Sequence, residues 1–423
     1  MKTVDLSLMG QQAKQAARVM SRVPTAQKNA VVMALADYLN QNETEILEAN
    51  ERDQEAARST GLSEAMIDRL SLSGRLASLA DDVRKIARLP DPVGEEFEGS
   101  ILPNGLRVCK RRTPIGVLGV IYESRPNVTV DVAAIAIKTG NCAILRGGSE
   151  ALQTNLALLK AIQKALDSGL LPFHAIQMIP TADREEVKNL LQLHESIDLI
   201  IPRGGNQLHQ YCRENSTIPV ITGGIGICHL FVDETADQDR SIDVIYNAKT
   251  QRPTVCNALD TLLVHAAIAR KFIPRVIQRL SKAQVKLRLD NEAWEVWKNL
   301  SLPVEGISQA QAEDWDCEWL SLVLGIKIVR DLDEAIQHIQ QHSTGHSDGI
   351  LTQNQQNSAQ FLREIDSAAV YVNASTRFTD GGQLGLGAEV AISTQKLHAR
   401  GPMGLRELTT YKWIIQGDYH VRS

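Results

Sequence analysis

The sequence lacks the features that mark secreted, membrane-spanning or disulfide-stabilised proteins. No apolar stretch is as long as a membrane helix, which needs about 18 residues. Residues 1–10 lack the apolar run and the small-residue cleavage site of a secretory signal. The six cysteines are scattered, with no Cys-x-x-Cys pair, which disfavours a disulfide framework and a zinc site. We therefore expect a cytoplasmic protein with no membrane segment.

An excess of charge of one sign is also missing. The 45 Lys and Arg residues nearly balance 50 Asp and Glu residues, so no basic field attracts nucleic acid or anionic membranes. We expect no nucleic-acid partner, and any bound anion must be held by local groups. Hydrophobic residues make up 43% of the chain, which is typical of a folded protein. The length of 423 residues suggests two or three domains.

Short apolar runs alternate with amphipathic segments from residue 115 onward. This alternation predicts strands at 116–122, 142–145, 175–179 and 199–202, and helices at 128–138, 150–167 and 184–195. Residues 8–90 show helical periodicity, and a further run of helices and strands spans 239–372. Repeated βα units indicate an α/β fold with a parallel, doubly wound sheet.

Residues 99–112 alternate apolar and polar side chains around Asn104-Gly105, which predicts a β-hairpin. The run Lys110-Arg111-Arg112 lies in its second strand. It could bind an anion, but a solvated or interface-facing strand edge is favoured.

Two glycine-containing turns each follow a predicted strand and precede a helix. Segment 146–150 reads Arg-Gly-Gly-Ser-Glu, and segment 203–206 reads Arg-Gly-Gly-Asn with Gly204 and Gly205. Their backbone amides and the helix N-termini could meet phosphate, although Ser149 could simply cap a helix. Neither matches G-x-G-x-x-G or Walker A, so the usual nucleotide fingerprints are missing.

Cys256 lies in the segment 249–258, Lys-Thr-Gln-Arg-Pro-Thr-Val-Cys-Asn-Ala, between a helical stretch and a predicted strand. Lys249 and Arg252 would lower the pKa of a nearby thiol and raise its thiolate fraction. A lone cysteine is more often buried and inert, so spacing alone does not distinguish Cys256 from the other five.

Arg125, Arg252 and Arg377 stand in turn-like contexts, where a guanidinium could grip a carboxylate or a phosphate. Surface salt bridges are the alternative. Arg377 is the most suggestive, because the segment 371–382 runs from a strand into a glycine-bearing loop.

His338, His342 and His346 recur every four residues, which on one helix would resemble a metal-binding ladder. Gly345 argues against a continuous helix, and no carboxylate completes a coordination set. We predict structural or supporting roles and no metal site.

Several segments carry a resemblance to a known family. They are 249–259 with the cysteine, 333–348 with its His-Ser-Thr-Gly-His-Ser core, 373–382, 385–389 and 397–404. These segments resemble the gamma-glutamyl phosphate reductases of proline biosynthesis, within the aldehyde dehydrogenase superfamily, and the resemblance covers essentially the whole chain.

The resemblance implies an aldehyde-dehydrogenase-like fold of three parts and a homo-oligomer. The parts are an NADP-binding domain at 1–97 and 115–235 with a return segment at about 373–395, a catalytic domain at 236–372, and an oligomerisation hairpin and tail at 98–114 and 404–423.

The resemblance also assigns residues. It makes Cys256 the nucleophile, Asn127 the amide that helps to hold the oxyanion, and Glu318 a ligand of the nicotinamide ribose. Arg146 would face the adenosine ribose, and with Ser149 it could accept a 2′-phosphate and favour NADPH over NADH. Gly204 and Gly205 would belong to the same cofactor site.

Hydrolytic aldehyde dehydrogenases carry a Leu-Glu-Leu-Gly-Gly segment whose glutamate activates water, whereas residues 220–226 read Val-Ile-Thr-Gly-Gly-Ile-Gly. Without that base a thioester would survive water, which favours acyl phosphate chemistry. The resemblance thus implies NADPH-dependent reduction of glutamyl 5-phosphate to glutamate 5-semialdehyde, with Arg125 and Arg377 as candidates for the substrate carboxylate and phosphate. A separate glutamate 5-kinase would supply the acyl phosphate.

Two other functions are weighed against this one. A semialdehyde dehydrogenase that oxidises its substrate shares the fold and the cysteine, and the missing glutamate disfavours it. A non-catalytic nucleotide-binding protein of the same fold is disfavoured by Cys256 and its intact surroundings.

Overall fold

The computed structural model describes residues 4–181, 183–223, 225–299 and 305–422. The chain divides into two compact units. Unit 1 comprises residues up to 222 together with 385–391 and 403–423, and unit 2 comprises 223–384 and 392–402. Within the described ranges, no helix is long and apolar enough to cross a membrane.

The helices and strands are numbered in chain order. The helices are α1 (Leu6–Met20), α2 (Thr25–Gln41), α3 (Glu43–Ser59), α4 (Glu64–Leu70), α5 (Leu76–Arg88), α6 (Asn127–Lys138), α7 (Leu152–Ser168), α8 (Glu185–Leu190), α9 (Asn206–Asn215), α10 (Gln238–Thr250), α11 (Ala266–Ser281), α12 (Asn291–Lys298), α13 (Leu332–His342) and α14 (Gln355–Glu364). The strands are β1 (Glu96–Ile101), β2 (Arg107–Pro114), β3 (Val117–Tyr122), β4 (Cys142–Arg146), β5 (Ile176–Met178), β6 (Leu199–Arg203), β7 (Cys228–Val232), β8 (Leu259–His265), β9 (Lys286–Leu289), β10 (Ile307–Gln309), β11 (Val323–Val329), β12 (Ser347–Leu351), β13 (Ala369–Val372), β14 (Ala391–Ser393), β15 (Gly401–Met403) and β16 (Thr409–Gln416).

Unit 1 is built on a four-stranded parallel sheet in the order β5-β4-β3-β6. Every residue of β3 is buried, as expected for a central parallel strand covered on both faces. The chain adds β4 and β5 on one side of β3 and then returns to add β6 on the other. Ligands of open α/β sheets bind at such a switch point, beyond the carboxyl ends of the strands.

The predicted α/β alternation is confirmed, with one helix shorter than expected. Helix α8 ends at Leu190, whereas the sequence predicted a helix to residue 195. Beyond Leu190 the backbone tightens, because the amide of Gln192 bonds three residues back to the carbonyl of Asn189.

The predicted hairpin is present as β1 and β2, with Gly105 at φ +90° in the turn. Strand β2 is not an edge strand, however, because β16 pairs along its other side. The three basic residues of β2 pair with acidic residues of β1 and of the turn before it, as Lys110 with Glu98, Arg111 with Glu96 and Arg112 with Glu95. The expectation of a basic strand edge is therefore wrong.

Unit 2 contains a seven-stranded parallel sheet in the order β10-β9-β11-β8-β7-β12-β13. Two apolar clusters pack with its strands, one including Phe272 of α11 and the other including Phe361 of α14. Both sheets are parallel with helices packed against them, so the predicted fold class is confirmed.

The boundary between the units differs from the boundary expected from the sequence, at residue 235. Strand β7 pairs with β8 and β12, so residues from 223 onward belong to unit 2. Residues 373–384 also belong to unit 2, and only 385–391 of the expected return segment lies in unit 1. Strand pairing decides these assignments, and periodicity along the chain does not show it.

Candidate active site

The six cysteines are all free thiols, and Cys256 is half-buried, as are Cys109 and Cys317. Burial raises the pKa of each of the other five, Cys109, Cys142, Cys212, Cys228 and Cys317. A thiol with a raised pKa carries little thiolate and reacts slowly. The five other cysteines are therefore poor candidates for a nucleophile.

The loop that carries Cys256 is held on one side by hydrogen bonds to its neighbour. Helix α10 ends at Thr250, and Pro253 cannot continue a helix because it lacks an amide N–H. Asn257 donates from Nδ2 to the carbonyl of Thr379 at 2.8 Å, and its own carbonyl accepts from Oγ1 of Thr376 at 2.7 Å. The segment 376–379 thus fixes the residue next to the thiol.

The other side of the loop packs against the residues that lead into β7. The Cys228 thiol donates to the carbonyl oxygen of Cys256 at 3.2 Å. A Cβ placed on Gly226 would lie 1.6 Å from that same oxygen, so only glycine fits there. Oε1 of Glu318 accepts from the Gly226 amide at 2.9 Å. Cys256 and Glu318, both predicted from the sequence, thus contact the same glycine at the amino-terminal edge of the sheet.

Arg377 lies within electrostatic reach of Cys256. It occupies a short 3-10 helix whose first residue follows Ser375, and the Ser375 side chain accepts from the Arg377 amide at 3.3 Å. Nε of Arg377 donates to Gln251 at 2.9 Å. Burial lowers the pKa of Arg377, Arg252 lowers it further, and the Cys256 thiolate raises it. Arg377 therefore interacts electrostatically with both the Cys256 thiol and Arg252.

Lys249, the other cation expected near the thiol, has a different partner. Its Nζ lies 3.4 Å from Oδ1 of Asp260, and both side chains are almost fully buried. Burial lowers the pKa of Lys249, and Asp260 raises it. Asp260 therefore neutralises this charge, and the expectation that Lys249 activates Cys256 is not supported.

Arg125 stands at the carboxyl edge of the unit 1 sheet, in the loop after β3. The loop bends at Ser124, which has a φ of +43°. Both the amide and the hydroxyl of Ser124 donate to Oε1 of Glu150, at 2.6 and 2.7 Å. Glu150 therefore fixes the loop that carries the exposed Arg125, a role that the sequence did not indicate.

Asn127 is the first residue of α6 and lies two residues after Arg125. Its Nδ2 donates to Oδ2 of Asp131, one helical turn further on, at 2.9 Å. Burial raises the pKa of Asp131 to about 6, and the hydrogen bond from Asn127 opposes that shift. Because a carboxylate accepts only, this contact determines which end of the Asn127 amide is nitrogen.

Arg146 ends β4 and is 9% exposed. Its Nη2 donates to the carbonyl of Asp183 at 3.4 Å. Burial lowers the pKa of Arg146, Glu150 raises it and Arg184 lowers it. Arg184 thus places a second guanidinium near Arg146, and its position just beyond β5 was the signal that sequence reasoning missed.

Ser149 is exposed at the start of a 3-10 turn, and its hydroxyl donates to Glu150 at 3.4 Å. It does not cap the following helix, because α7 begins at Leu152 and no side chain caps it. The alternative of a helix-capping serine is therefore not supported.

The second glycine loop is engaged by a carboxylate. The Gly205 amide donates to Oε2 of Glu123 at 3.1 Å, and a Cβ on Gly204 would meet the same oxygen at 2.4 Å. This contact gives the two glycines a structural role, and their part in binding a cofactor stays a prediction.

The three histidines do not share one helix. His338 and His342 lie on α13, which ends at His342, and His346 follows Gly345 at φ +73°. Burial lowers the pKa of His338 to about 2 and that of His346 to about 4. Among the described residues, no three His, Cys, Asp or Glu side chains are arranged to hold a metal.

The comparison with known proteins agrees with the motifs. The aldehyde dehydrogenase family model matches residues 2–294. The gamma-glutamyl phosphate reductase of Cronobacter sakazakii is 55% identical over 99% of this chain and 100% of its own length, and that of Proteus mirabilis is 54% identical over 99% and 100%. The crystal structure of the gamma-glutamyl phosphate reductase of Thermotoga maritima has a TM-score of 0.96 and 46% identity, over 99% of this chain and 100% of that one. The chain therefore belongs to the aldehyde dehydrogenase family and, within it, to the gamma-glutamyl phosphate reductases.

Proposed function

We propose that the protein is an oxidoreductase that reduces L-glutamyl 5-phosphate to L-glutamate 5-semialdehyde and phosphate with NADPH, the second step of proline biosynthesis. The family membership supports this reaction, and the cysteine site supports its chemistry. The observation that carries the proposal is the half-buried Cys256 thiol within electrostatic reach of Arg377.

Cys256 acts as the nucleophile. Its thiolate attacks the acyl carbon, a carbon–sulfur bond forms, and the bond between the acyl carbon and the phosphate oxygen breaks. Arg377 and Arg252 supply the positive charge that a leaving phosphate requires. One guanidinium can donate two parallel hydrogen bonds to two phosphate oxygens. We assign Arg377 to the phosphate, and Arg125 to the substrate carboxylate.

Asn127 stabilises the oxyanion that develops during this attack. Asp131 accepts one N–H of the Asn127 amide at 2.9 Å, which keeps the nitrogen end in place and leaves the second N–H to donate. Losing one such donor commonly costs about 10² to 10³ in rate.

The family uses a nicotinamide cofactor, and the residues of unit 1 suit its phosphorylated form. Arg146 and Arg184 place two positive charges at the carboxyl edge of the sheet, and Ser149 follows Arg146 in the next turn; this combination suits the 2′-phosphate of NADPH. Glu318, held by the Gly226 amide, would bind the nicotinamide ribose. When bound, the cofactor supplies the hydride that reduces the thioester.

The segment 220–226 contains no acidic residue, so it offers no glutamate to activate water against the thioester. Residues 220–223, 225 and 226 of this segment are described, and Gly224 lies outside the described residues. Phosphate is then the acyl partner on one side of the reaction, and the collapse of the thiohemiacetal returns the Cys256 thiolate.

The test runs the reaction in reverse, because the acyl phosphate is unstable. Purified protein is incubated with NADP and glutamate 5-semialdehyde, and NADPH formation is followed with and without phosphate. Turnover that requires phosphate and disappears in Cys256→Ser supports the proposal. Turnover that ignores phosphate would indicate a semialdehyde dehydrogenase, and no turnover in either condition would favour the non-catalytic alternative.

We also propose that the protein is a cytoplasmic homo-oligomer that receives its substrate from a separate glutamate 5-kinase. The outer strand β16 exposes Trp413 and Ile415, which are 55% and 63% accessible. An exposed strand with apolar side chains suits pairing with a second copy of the chain. Light scattering on the purified protein tests this, and a monomer at micromolar concentration would contradict it.

A further inference from the structure

Asp260 occupies an irregular position between β7 and β8. Cys228 pairs with Leu259, but the next residue, His229, pairs with Thr261, so Asp260 is the extra residue of a β-bulge. Bulges interrupt the regular alternation of a strand and redirect a side chain, often next to an active site. The redirected carboxylate is 2% exposed.

Three different segments contact this carboxylate. Nζ of Lys249 lies 3.4 Å from Oδ1, and the amide of Trp319 donates to the same oxygen at 3.3 Å. The amide of Cys228 also donates to the Asp260 carboxylate. Burial raises the pKa of Asp260 to about 6, and all three contacts lower it. The charged carboxylate is therefore stabilised by the segments that it joins.

Each of these segments carries a part of the cysteine site. Lys249 lies in the last turn of α10, from which the Cys256 loop departs. Trp319 directly follows Glu318. Cys228 donates its thiol hydrogen to the carbonyl of Cys256.

Stability alone does not account for such a pair. Replacing a buried ion pair with apolar residues of similar size is often neutral or stabilising. The contacts of Asp260 reach a site that must be held in one geometry, and a positioning role explains the bulge and the pair together.

We propose that Asp260, whose carboxylate pairs with Lys249, is a positioning residue that holds the Cys256 loop and Glu318 in their places relative to each other. The inference rests on the proposed function, in which Cys256 is the nucleophile and Glu318 binds the cofactor ribose. Asp260 acts through the three segments that it contacts.

The test compares Asp260→Asn and Lys249→Met with the wild-type protein in three measurements. They are kcat/KM, the rate at which iodoacetamide alkylates Cys256, and the dissociation constant of NADP. A shift of about 1 Å at a reacting group can cost about 10²-fold, and we expect a loss of that order in kcat/KM for each variant. Alkylation should change and NADP should bind more weakly in the same variants. The double variant should be no worse than the single ones, because both residues serve one contact.

The matched control is a buried ion pair in unit 1. Lys28 and Asp91 are 2.5 Å apart and 1% and 5% exposed, and neither belongs to the proposed site. Asp91→Asn should lower the melting temperature and leave the three measurements unchanged.

The inference is overturned if Asp260→Asn behaves like Asp91→Asn, with a lower melting temperature and unchanged kinetics, alkylation and NADP binding. If Asp260→Asn does not fold, Lys249→Met decides the question by the same criteria. Alkylation and NADP binding need no acyl phosphate, so they still test the positioning role if the phosphate requirement fails.

Discussion

Replacing Gly226 with alanine would test the geometry of the cysteine loop most directly. A Cβ at this position would lie 1.6 Å from the carbonyl oxygen of Cys256 and 3.0 Å from its Cα. Carbon and oxygen approach each other to about 3.3 Å, so the two segments must separate by about 1.7 Å. Both contacted atoms belong to the backbone, and no side-chain rotation can relieve the clash.

The displaced peptide carries the proposed nucleophile. Because a 1 Å misplacement can cost about 10²-fold, we expect kcat/KM of Gly226→Ala to fall by at least about 10²-fold. The same shift strains the hydrogen bond from the Gly226 amide to Glu318. Overpacking a well-packed site costs about 1–3 kcal/mol, which a stable domain tolerates, so the variant should fold with a lower melting temperature.

The assay is NADPH formation in the presence of phosphate, together with the alkylation rate of Cys256. Gly99→Ala is the matched control, because a Cβ on Gly99 meets only the Cβ of Cys109, at 3.9 Å. The control should retain wild-type activity. If Gly226→Ala also retained wild-type kcat/KM and wild-type alkylation, the contact between Gly226 and the Cys256 loop would not control the site.

Three other changes test separate parts of the proposal. Arg377→Ala should raise KM or lower kcat/KM sharply, because a phosphate-binding charge is lost. Arg377→Lys should retain part of the activity, and near-normal kinetics for Arg377→Ala would refute the role of Arg377. Arg184→Ala should reduce the preference for NADPH over NADH, measured as the ratio of the two kcat/KM values, and an unchanged ratio would exclude Arg184 from the 2′-phosphate site. Burial raises the pKa of Asp131 from 3.8 to about 6, so the folded protein binds this proton more tightly than the unfolded chain does. Its contribution to stability is present below about pH 4 and lost as pH rises through 6, and Asp131→Asn should flatten the dependence of the melting temperature on pH in that window.

Much of the fold was predictable because its signals are local. Alternation of apolar runs with amphipathic segments follows from the periods of strands and helices, and Asn104-Gly105 specifies a tight turn by its own backbone preference. The motifs around Cys256 and along the rest of the chain indicated the family, and the resemblance predicted which of the six cysteines is the nucleophile. A sequence carries such features directly, since they depend on neighbours within a few residues.

Contacts between distant residues decided the rest. Strand β16 pairs with β2 across about 300 positions of sequence and makes β2 a central strand. Pairing of β7 with β8 and β12 moved the start of unit 2 to residue 223. Hydrogen bonding between strands joins segments far apart in the chain, and periodicity along one segment does not report its partners.

The electrostatics of the site also depended on tertiary structure. Lys249 and Arg252 lie close to Cys256 along the chain. In the folded protein the buried Lys249 pairs with Asp260, and Arg377 interacts electrostatically with the Cys256 thiol. The sequence predicted no role for Gly226, Glu150 or Arg184, and each acquires its role from a residue elsewhere in the fold. The sequence by itself determined the family, because its motifs carry that resemblance in residue type and order, and the choice of Cys256 as nucleophile follows from the resemblance as a prediction. The folded chain alone decided which charges and backbone atoms surround that cysteine, because a buried charge takes the partner that lies closest in space.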